Sequence, residues 1–189
     1  LEDITTNGGC TAVGYQALME NTGSNNTGVG YQALKVNTTG IYNVSLGLQS
    51  LAANTTGSNN TAVGYQALDA NTTADDNTAV GAFALGANTT GAKNTAVGQG
   101  SLDANTTGDN NVAFGYYALG AATTADKNTA LGYYAAADIT TGVRNTAVGS
   151  EALRQKTTST DNTAIGFQAM FQSSESNHNT CVGSSAGYN

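Results

Sequence analysis

Two cysteines, one histidine and thirteen carboxylates are the side chains of this 189-residue chain whose types suit covalent, proton-transfer or metal chemistry. Their spacing does not group them. His178 is the only imidazole, so no Ser-His-Asp or Cys-His arrangement can be argued, and it reads as a solvated corner residue. The acidic residues are scattered singly apart from Glu2-Asp3 and Asp75-Asp76, and the Gly-Gly-x-Gly-x-Asp run of calcium-binding solenoids is missing. The glycines are not followed by the Gly-Lys-Ser/Thr of a phosphate loop. The chain is therefore expected to be non-enzymatic, with no catalytic residue, metal or cofactor. A net charge of −7 without a basic stripe argues against a nucleic-acid partner. No stretch approaches the ~18 consecutive apolar residues of a transmembrane helix, so membrane insertion is not expected. No signal peptide is visible either.

What remains is recognition chemistry, carried by aromatic, amide and hydroxyl groups that recur. Tyr15, Tyr31, Tyr65, Tyr116, Tyr133 and Phe167 follow a recurrent glycine directly, and Phe83, Tyr117 and Tyr134 stand one residue further. Strand alternation would turn one set inward and the other outward. An outward Tyr/Gln strip, with Tyr65, Gln66, Tyr116 and Tyr133 as its candidate contacts, would stack on the sugars of a host-surface polysaccharide. The competing reading is that these rings pack the coil wall or a seam between chains. Threonine columns such as Thr38, Thr55, Thr72, Thr89 and Thr106 raise ice binding as a further class, although adjacent Thr-Thr pairs would present only one column. Asn-x-Thr triplets match glycosylation acceptors, which a repeat rich in both residues produces without purpose.

The element that must position all of these is a seventeen-residue unit, Asn-Thr-Ala-Val-Gly-Tyr-Gln-Ala-Leu-x-Ala-Asn-Thr-Thr-Gly-x-x, written eleven times. Its marker glycine falls at Gly14, Gly30, Gly47, Gly64, Gly81, Gly98, Gly115, Gly132, Gly149, Gly166 and Gly183, with only the first interval shortened to sixteen. Such units are too short for a helix pair and suit one turn of a stacked solenoid. The predicted fold is all-β: a parallel β-solenoid or β-roll of about eleven 17-residue coils, a single repeat array over residues 1–189. Strands are predicted at Thr-Ala-Val-Gly and around Asn-Thr-Thr, and a short helical turn per coil at Tyr-Gln-Ala-Leu, where Ala, Leu and Gln favour helix. The absence of proline agrees with coils that each pair above and below.

In-register stacking lays like residues over like. Four residues before the glycine this gives a ladder of Asn26, Asn43, Asn60, Asn77, Asn94, Asn111, Asn128, Asn145, Asn162 and Asn179, interrupted only by Cys10, in which each amide donates to one copy and accepts from the other. The glycine column itself marks a positive φ or a lack of room for a Cβ. Two apolar columns are the expected core: Val or its equivalents just before the glycine, and Leu four after it. Among nineteen charged residues only Glu151 lies within four of a marker glycine, so the remaining segments are water-facing corners and the windows are walls. A core this thin favours a second burial surface. The small column two before the glycine, Ala62 and Ala79 for example, would let another chain approach closely, so a parallel homotrimer is expected, with a monomeric solenoid as the rival.

Cys10 and Cys181 lie ten coils apart, about 48 Å if the rod is straight, which excludes an intrachain disulfide. They are either free thiols in small-residue slots or a covalent link between the last coil of one subunit and the first of the next, stapling an end-to-end filament. Leu1 fits the leucine column and Ile4-Thr5-Thr6 the Asn-Thr-Thr slot, and no cap is recognisable at Asn189, so the array is expected to belong to a longer fibre or to have covered ends.

Asn-Thr-Ala-Val-Gly-Tyr-Gln-Ala-Leu, intact at residues 60–68, resembles the repeats of tail-fibre and related fibre-domain proteins of tailed phages and some bacteria. Thr78-Ala79-Val80-Gly81 and Thr163-Ala164-Ile165-Gly166 are similar, more loosely, to the Ser-Val-Ala-Ile-Gly-like strand of trimeric autotransporter adhesin heads, a left-handed parallel β-roll whose repeat is shorter than seventeen residues. The resemblance implies an extended homotrimeric fibre, extracellular or on a virion surface. The function expected is thus a structural fibre segment acting as a rigid spacer, with a glycan-binding adhesin shaft as the alternative and an ice-binding solenoid behind both.

Overall fold

A computed structural model describes residues 8–155, 157–172 and 176–188. The slots assigned to Leu1, Ile4, Thr5 and Thr6, and the Glu2-Asp3 pair, lie outside the described residues. Eleven three-residue strands follow one another: β1 (Thr11–Val13), β2 (Thr27–Val29), β3 (Val44–Leu46), β4 (Thr61–Val63), β5 (Thr78–Val80), β6 (Thr95–Val97), β7 (Val112–Phe114), β8 (Thr129–Leu131), β9 (Thr146–Val148), β10 (Thr163–Ile165) and β11 (Thr180–Val182). They form a single parallel sheet in strict chain order. Each residue pairs with its repeat equivalent, as in Thr61↔Thr78, Ala62↔Ala79 and Val63↔Val80. The chain is a β-solenoid. Its one sixteen-residue step keeps this register, Thr11 pairing with Thr27, because the missing residue comes out of the Thr-Thr corner, where Asn21-Thr22-Gly23 replaces Asn37-Thr38-Thr39-Gly40.

The strand ends at the marker glycine for a steric reason. Gly64 has φ +137°, and a Cβ there would sit 2.6 Å from the Gly81 oxygen of the next coil. Both parts of the sequence-based expectation therefore hold at once: the backbone angle and the space each demand glycine. The following Tyr-Gln-Ala-Leu segment is not a helical turn. Gln66 and Leu68 adopt φ of 50° and 51°, and this alternation of sign prevents helical hydrogen bonding. The segment is a pair of tight turns instead, closed in the first coil by Ala17 N–H donating to Gly14 O (3.4 Å) and Asn21 N–H to Leu18 O (3.3 Å).

No strand forms around Asn-Thr-Thr either. The chain bends there, and one carbonyl collects several donors from the preceding coil: Thr55 O accepts from Thr38 N–H (2.8 Å), Thr39 N–H (3.2 Å) and the Thr38 hydroxyl (2.9 Å). A bend that converges three donors on one oxygen satisfies the backbone without a ladder.

The interior corrects the expected core. Leu34, Leu51, Leu68, Leu85, Leu102, Leu119 and Leu153 are fully buried, as their column predicted. The column before the glycine is not. Phe114 is 51% and Leu131 47% exposed, whereas Ala62, Ala79, Ala96, Ala113, Ala130, Ala147 and Ala164 are 0% exposed. The small column reserved for a neighbouring chain thus faces inward, against the leucines. Room decides the orientation: at Gly28 in this column even a bare Cβ would lie 3.1 Å from both Leu18 Cγ and Ala33 O. An isopropyl group does not fit where a methyl already touches.

Candidate functional site

The predicted asparagine ladder exists in a different hydrogen-bonding mode. Each Oδ1 accepts the backbone N–H of the next asparagine, as Asn43 N–H to Asn26 Oδ1 and Asn60 N–H to Asn43 Oδ1, both 2.9 Å. From Asn26 to Asn162 each Nδ2 donates to a carbonyl fourteen residues on, such as Asn60 to Ala74 O at 2.8 Å. Amide-to-amide contacts between successive rungs of this column begin at Asn111, whose Nδ2 lies 3.2 Å from Asn94 Oδ1, and recur through Asn128, Asn145, Asn162 and Asn179.

The amide-to-amide ladder foreseen for that column runs in a second one, Asn21, Asn37, Asn54, Asn71, Asn88 and Asn105. From Asn37 onward each Nδ2 splits its two protons between the preceding Oδ1 and a carbonyl three residues on; Asn71 donates to Asn54 Oδ1 (2.9 Å) and Ala74 O (3.1 Å). The signal is legible as the Asn of Asn-Thr-Thr, a segment for which the sequence predicts a strand and not a ladder of amides. These asparagines from Asn37 to Asn105 are buried with both amide protons engaged, so the Asn-x-Thr acceptors at Asn37, Asn54, Asn71, Asn88 and Asn105 are inaccessible in the folded coil. The column then turns apolar at Ala122 and Ile139, and Asn105 Oδ1 is left buried with no partner among the described residues.

Two more ladders climb the outside. Gln32, Gln49 and Gln66 each donate Nε2 to the preceding glutamine, at 2.8, 3.2 and 3.3 Å. At the far corner Asp75, Asp109 and Asp126 accept the backbone N–H of Ser58, Ala92 and Asp109, all at 2.7 Å. The carboxylates here are structural acceptors. Asp69 and Asp103, on the opposite corner, are pushed above the usual carboxylate range by burial. Asp161 is held below it, chiefly by the hydrogen bond from Arg144 (Nε to Oδ1, 2.6 Å). His178 reaches the same carboxylate at 3.4 Å from an exposed position. Among the described residues, no three His, Cys, Asp or Glu side chains come together.

Neither cysteine is bridged within the chain. Cys181 occupies the inward alanine column of β11. Cys10 is not in a small-residue slot: it stands at the foot of the asparagine column, where its thiol donates to Gly23 O at 3.4 Å in the manner of the Asn26 amide towards Gly40 O.

Neither aromatic set turns inward, because these residues lie in turns where strand alternation does not apply. Tyr15, Tyr31, Tyr65, Tyr116 and Tyr133 are exposed, while Tyr117 and Tyr134 are half-buried on the same outer surface. Of the four candidate sugar contacts, Tyr116 and Tyr133 meet as a stacked pair 5.6 Å apart. Tyr65 instead sits edge-to-face with Phe83 (5.1 Å), and Gln66 belongs to the glutamine ladder. Tyr117 and Tyr134 stack at 5.7 Å beside the first pair, and the Arg154 guanidinium covers Tyr134 at 4.4 Å. Burial pushes the Tyr134 phenol upward, with Tyr116 and Tyr133 adding to the shift. A shallow groove of about 260 Å³ runs alongside, lined by Tyr117, Gly120, Ala121, Tyr134, Ala137 and Asp138.

The threonine hydroxyls are similarly committed: Thr38, Thr55, Thr72, Thr89 and Thr106 each donate to the threonine carbonyl of the next coil. The side chains that were candidates for recognition are thus largely spent on holding coil to coil. No protein-family model, curated protein or solved structure matches this chain.

Proposed function

We propose that this chain is a non-enzymatic structural segment, a stiff rod that holds attached parts of an extracellular or virion-surface fibre at a distance. The observation that carries the reading is the strand ladder, unbroken and in register from β1 to β11, with the asparagine column from Asn26 to Asn179 bonded alongside it and threonine bonds running in the same direction. A pull along that axis must break several hydrogen bonds per coil together, which is what a load-bearing spacer requires. Polysaccharide binding by the shaft ranks second, since the stacked Tyr15–Tyr31 and Tyr116–Tyr133 pairs already occupy one face of each ring. Ice binding ranks behind it, because the hydroxyls it would use donate within the stack.

The test is mechanical. The chain is placed between two reference domains and stretched by single-molecule force spectroscopy, and variants lacking one or two whole seventeen-residue coils are compared with it. The expected result is cooperative unfolding at forces above those of the reference domains, with the folded length shortened by about 4.8 Å for each coil removed. Unravelling coil by coil at low force would refute the spacer role.

A further inference from the structure

The rod carries an uncharged apolar wall, and we propose that this wall is a seam between two copies of this chain. Fourteen of the seventeen exposed large apolar side chains among the described residues lie between three positions before the marker glycine and two after it; only Met19, Ile41 and Tyr42 fall elsewhere. Val112, Phe114, Tyr116, Leu131, Ile165 and Phe167 are its most prominent part. One ionisable acid, Glu151, enters this strip, and it is neutralised by Arg154 at 2.6 Å and hydrogen-bonded by Gln168 at 2.7 Å. Exposed apolar surface that is both contiguous and rimmed by polar corners marks an interaction face.

Three observations select a second copy as the occupant. The first is period. The wall follows the strand register of the coils, with half-buried Val97 and Val148 filling it where the coils of Gly98 and Gly149 add no exposed large side chain, so a partner with the same axial repeat matches it step for step. Another copy of this chain has that repeat by construction. The second is charge. Two copies each carrying −7 repel through their acidic corners, and this wall is the face on which they approach without bringing those corners together. The third is area. Ten steps of about 4.8 Å and a strip about 13 Å wide give roughly 600 Å² per copy, so about 1,200 Å² between two, which reaches the range of stable interfaces. The inward alanine column has no part in this seam. The proposal does not depend on the spacer role, since a seam is read from mass and the role from force.

The experiment measures the mass of the chain in solution by sedimentation equilibrium across low to high micromolar concentration. The expected result is a multiple of 19.0 kDa. Val63→Lys with Val97→Lys places two charges on the wall through outward-facing side chains and is expected to give monomer with an unchanged far-ultraviolet spectrum. Thr73→Lys with Thr107→Lys adds the same charge at exposed corner positions and is expected to keep the wild-type mass. A wild-type chain that stays monomeric overturns the proposal, as does a wall variant that remains associated. A monomer that sediments with an insoluble polysaccharide through Val63 and Val97 also overturns it, in favour of a flat ligand surface.

Discussion

Truncating Asn71 and truncating Asn105 remove the same buried side chain from the same ladder, yet the two losses are expected to differ severalfold in consequence. Asn71 is an internal rung. Its Nδ2 donates to Asn54 Oδ1 and Ala74 O, and its Oδ1 accepts from Asn88 Nδ2 at 3.1 Å. Asn105 is the last rung, donating to Asn88 Oδ1 (2.8 Å) and Gly108 O (3.1 Å), while its own Oδ1 has no partner. Asn71→Ala breaks three bonds, leaves Asn54 Oδ1 newly orphaned inside the coil and takes the acceptor from one Asn88 Nδ2 proton. Asn105→Ala breaks two and orphans Asn88 Oδ1, but removes the orphan that Asn105 itself carried, so the number of unsatisfied buried acceptors stays constant.

The cavity and the two donor bonds are common to both variants and cancel. What remains is one hydrogen bond, about 0.5 to 1.5 kcal/mol, and one buried unsatisfied acceptor, about 1 to 3 kcal/mol. Asn71→Ala should therefore cost about 1.5 to 4.5 kcal/mol more than Asn105→Ala, a factor of about ten or more in the folding equilibrium. The assay is reversible urea denaturation followed by circular dichroism at equal protein concentration. Equal costs within about 0.5 kcal/mol would refute the ladder as an energetic unit, as would a larger cost at Asn105.

Four further outcomes follow from single sites. Ser159→Ala should stabilise the fold by about 1 to 3 kcal/mol in the same titration, because the buried Ser159 hydroxyl lacks a partner among the described residues and the equivalent positions Ala74 and Ala125 carry a methyl. Gly64→Ala should cost about 3 kcal/mol or more, since its Cβ meets the backbone of the next coil at 2.6 Å and its φ is +137°; a drop in melting temperature too small to register would contradict the stacking geometry. Ala62→Val should destabilise by about 1 to 3 kcal/mol through overpacking, whereas Val63→Ala, on the outer face, should cost less than about 1 kcal/mol; the reverse order would mean that the strand faces are misassigned. Asp103→Asn should be more stable than the parent at neutral pH. Burial raises the folded-state pKa of Asp103, so its ionisation opposes folding above that raised value, and the advantage of the variant should vanish as pH falls from the raised value towards 3.8.

The repeat itself made much of the architecture legible. The seventeen-residue period set the coil, the glycine column set the strand end, and the leucine column named the core residues that are buried throughout. Ladder asparagines were legible as residues, yet their bonding was not. The column of Asn26 and Asn43 uses backbone donors, while the amide-to-amide ladder runs through Asn37 and Asn54, because only the path of the chain decides which amide faces a neighbouring amide and which faces a peptide group. The two supposed second elements, at Asn-Thr-Thr and Tyr-Gln-Ala-Leu, failed for a related reason. Propensity reports the preference of single residues, whereas Gln66 and Leu68 take left-handed angles that the closing of each coil imposes.

By itself, then, the sequence determined that identical coils stack in register, since a period kept over nine of ten intervals admits only one pairing that lays glycine on glycine and leucine on leucine. It could not determine which side of each three-residue strand faces in. Alanine and valine alternate there, both apolar, and burial per unit area alone would have turned valine inward. The tertiary structure decided otherwise because the leucines of the facing turn leave a gap only one methyl deep. Valine goes outside for want of space, and the exposed apolar wall is the consequence.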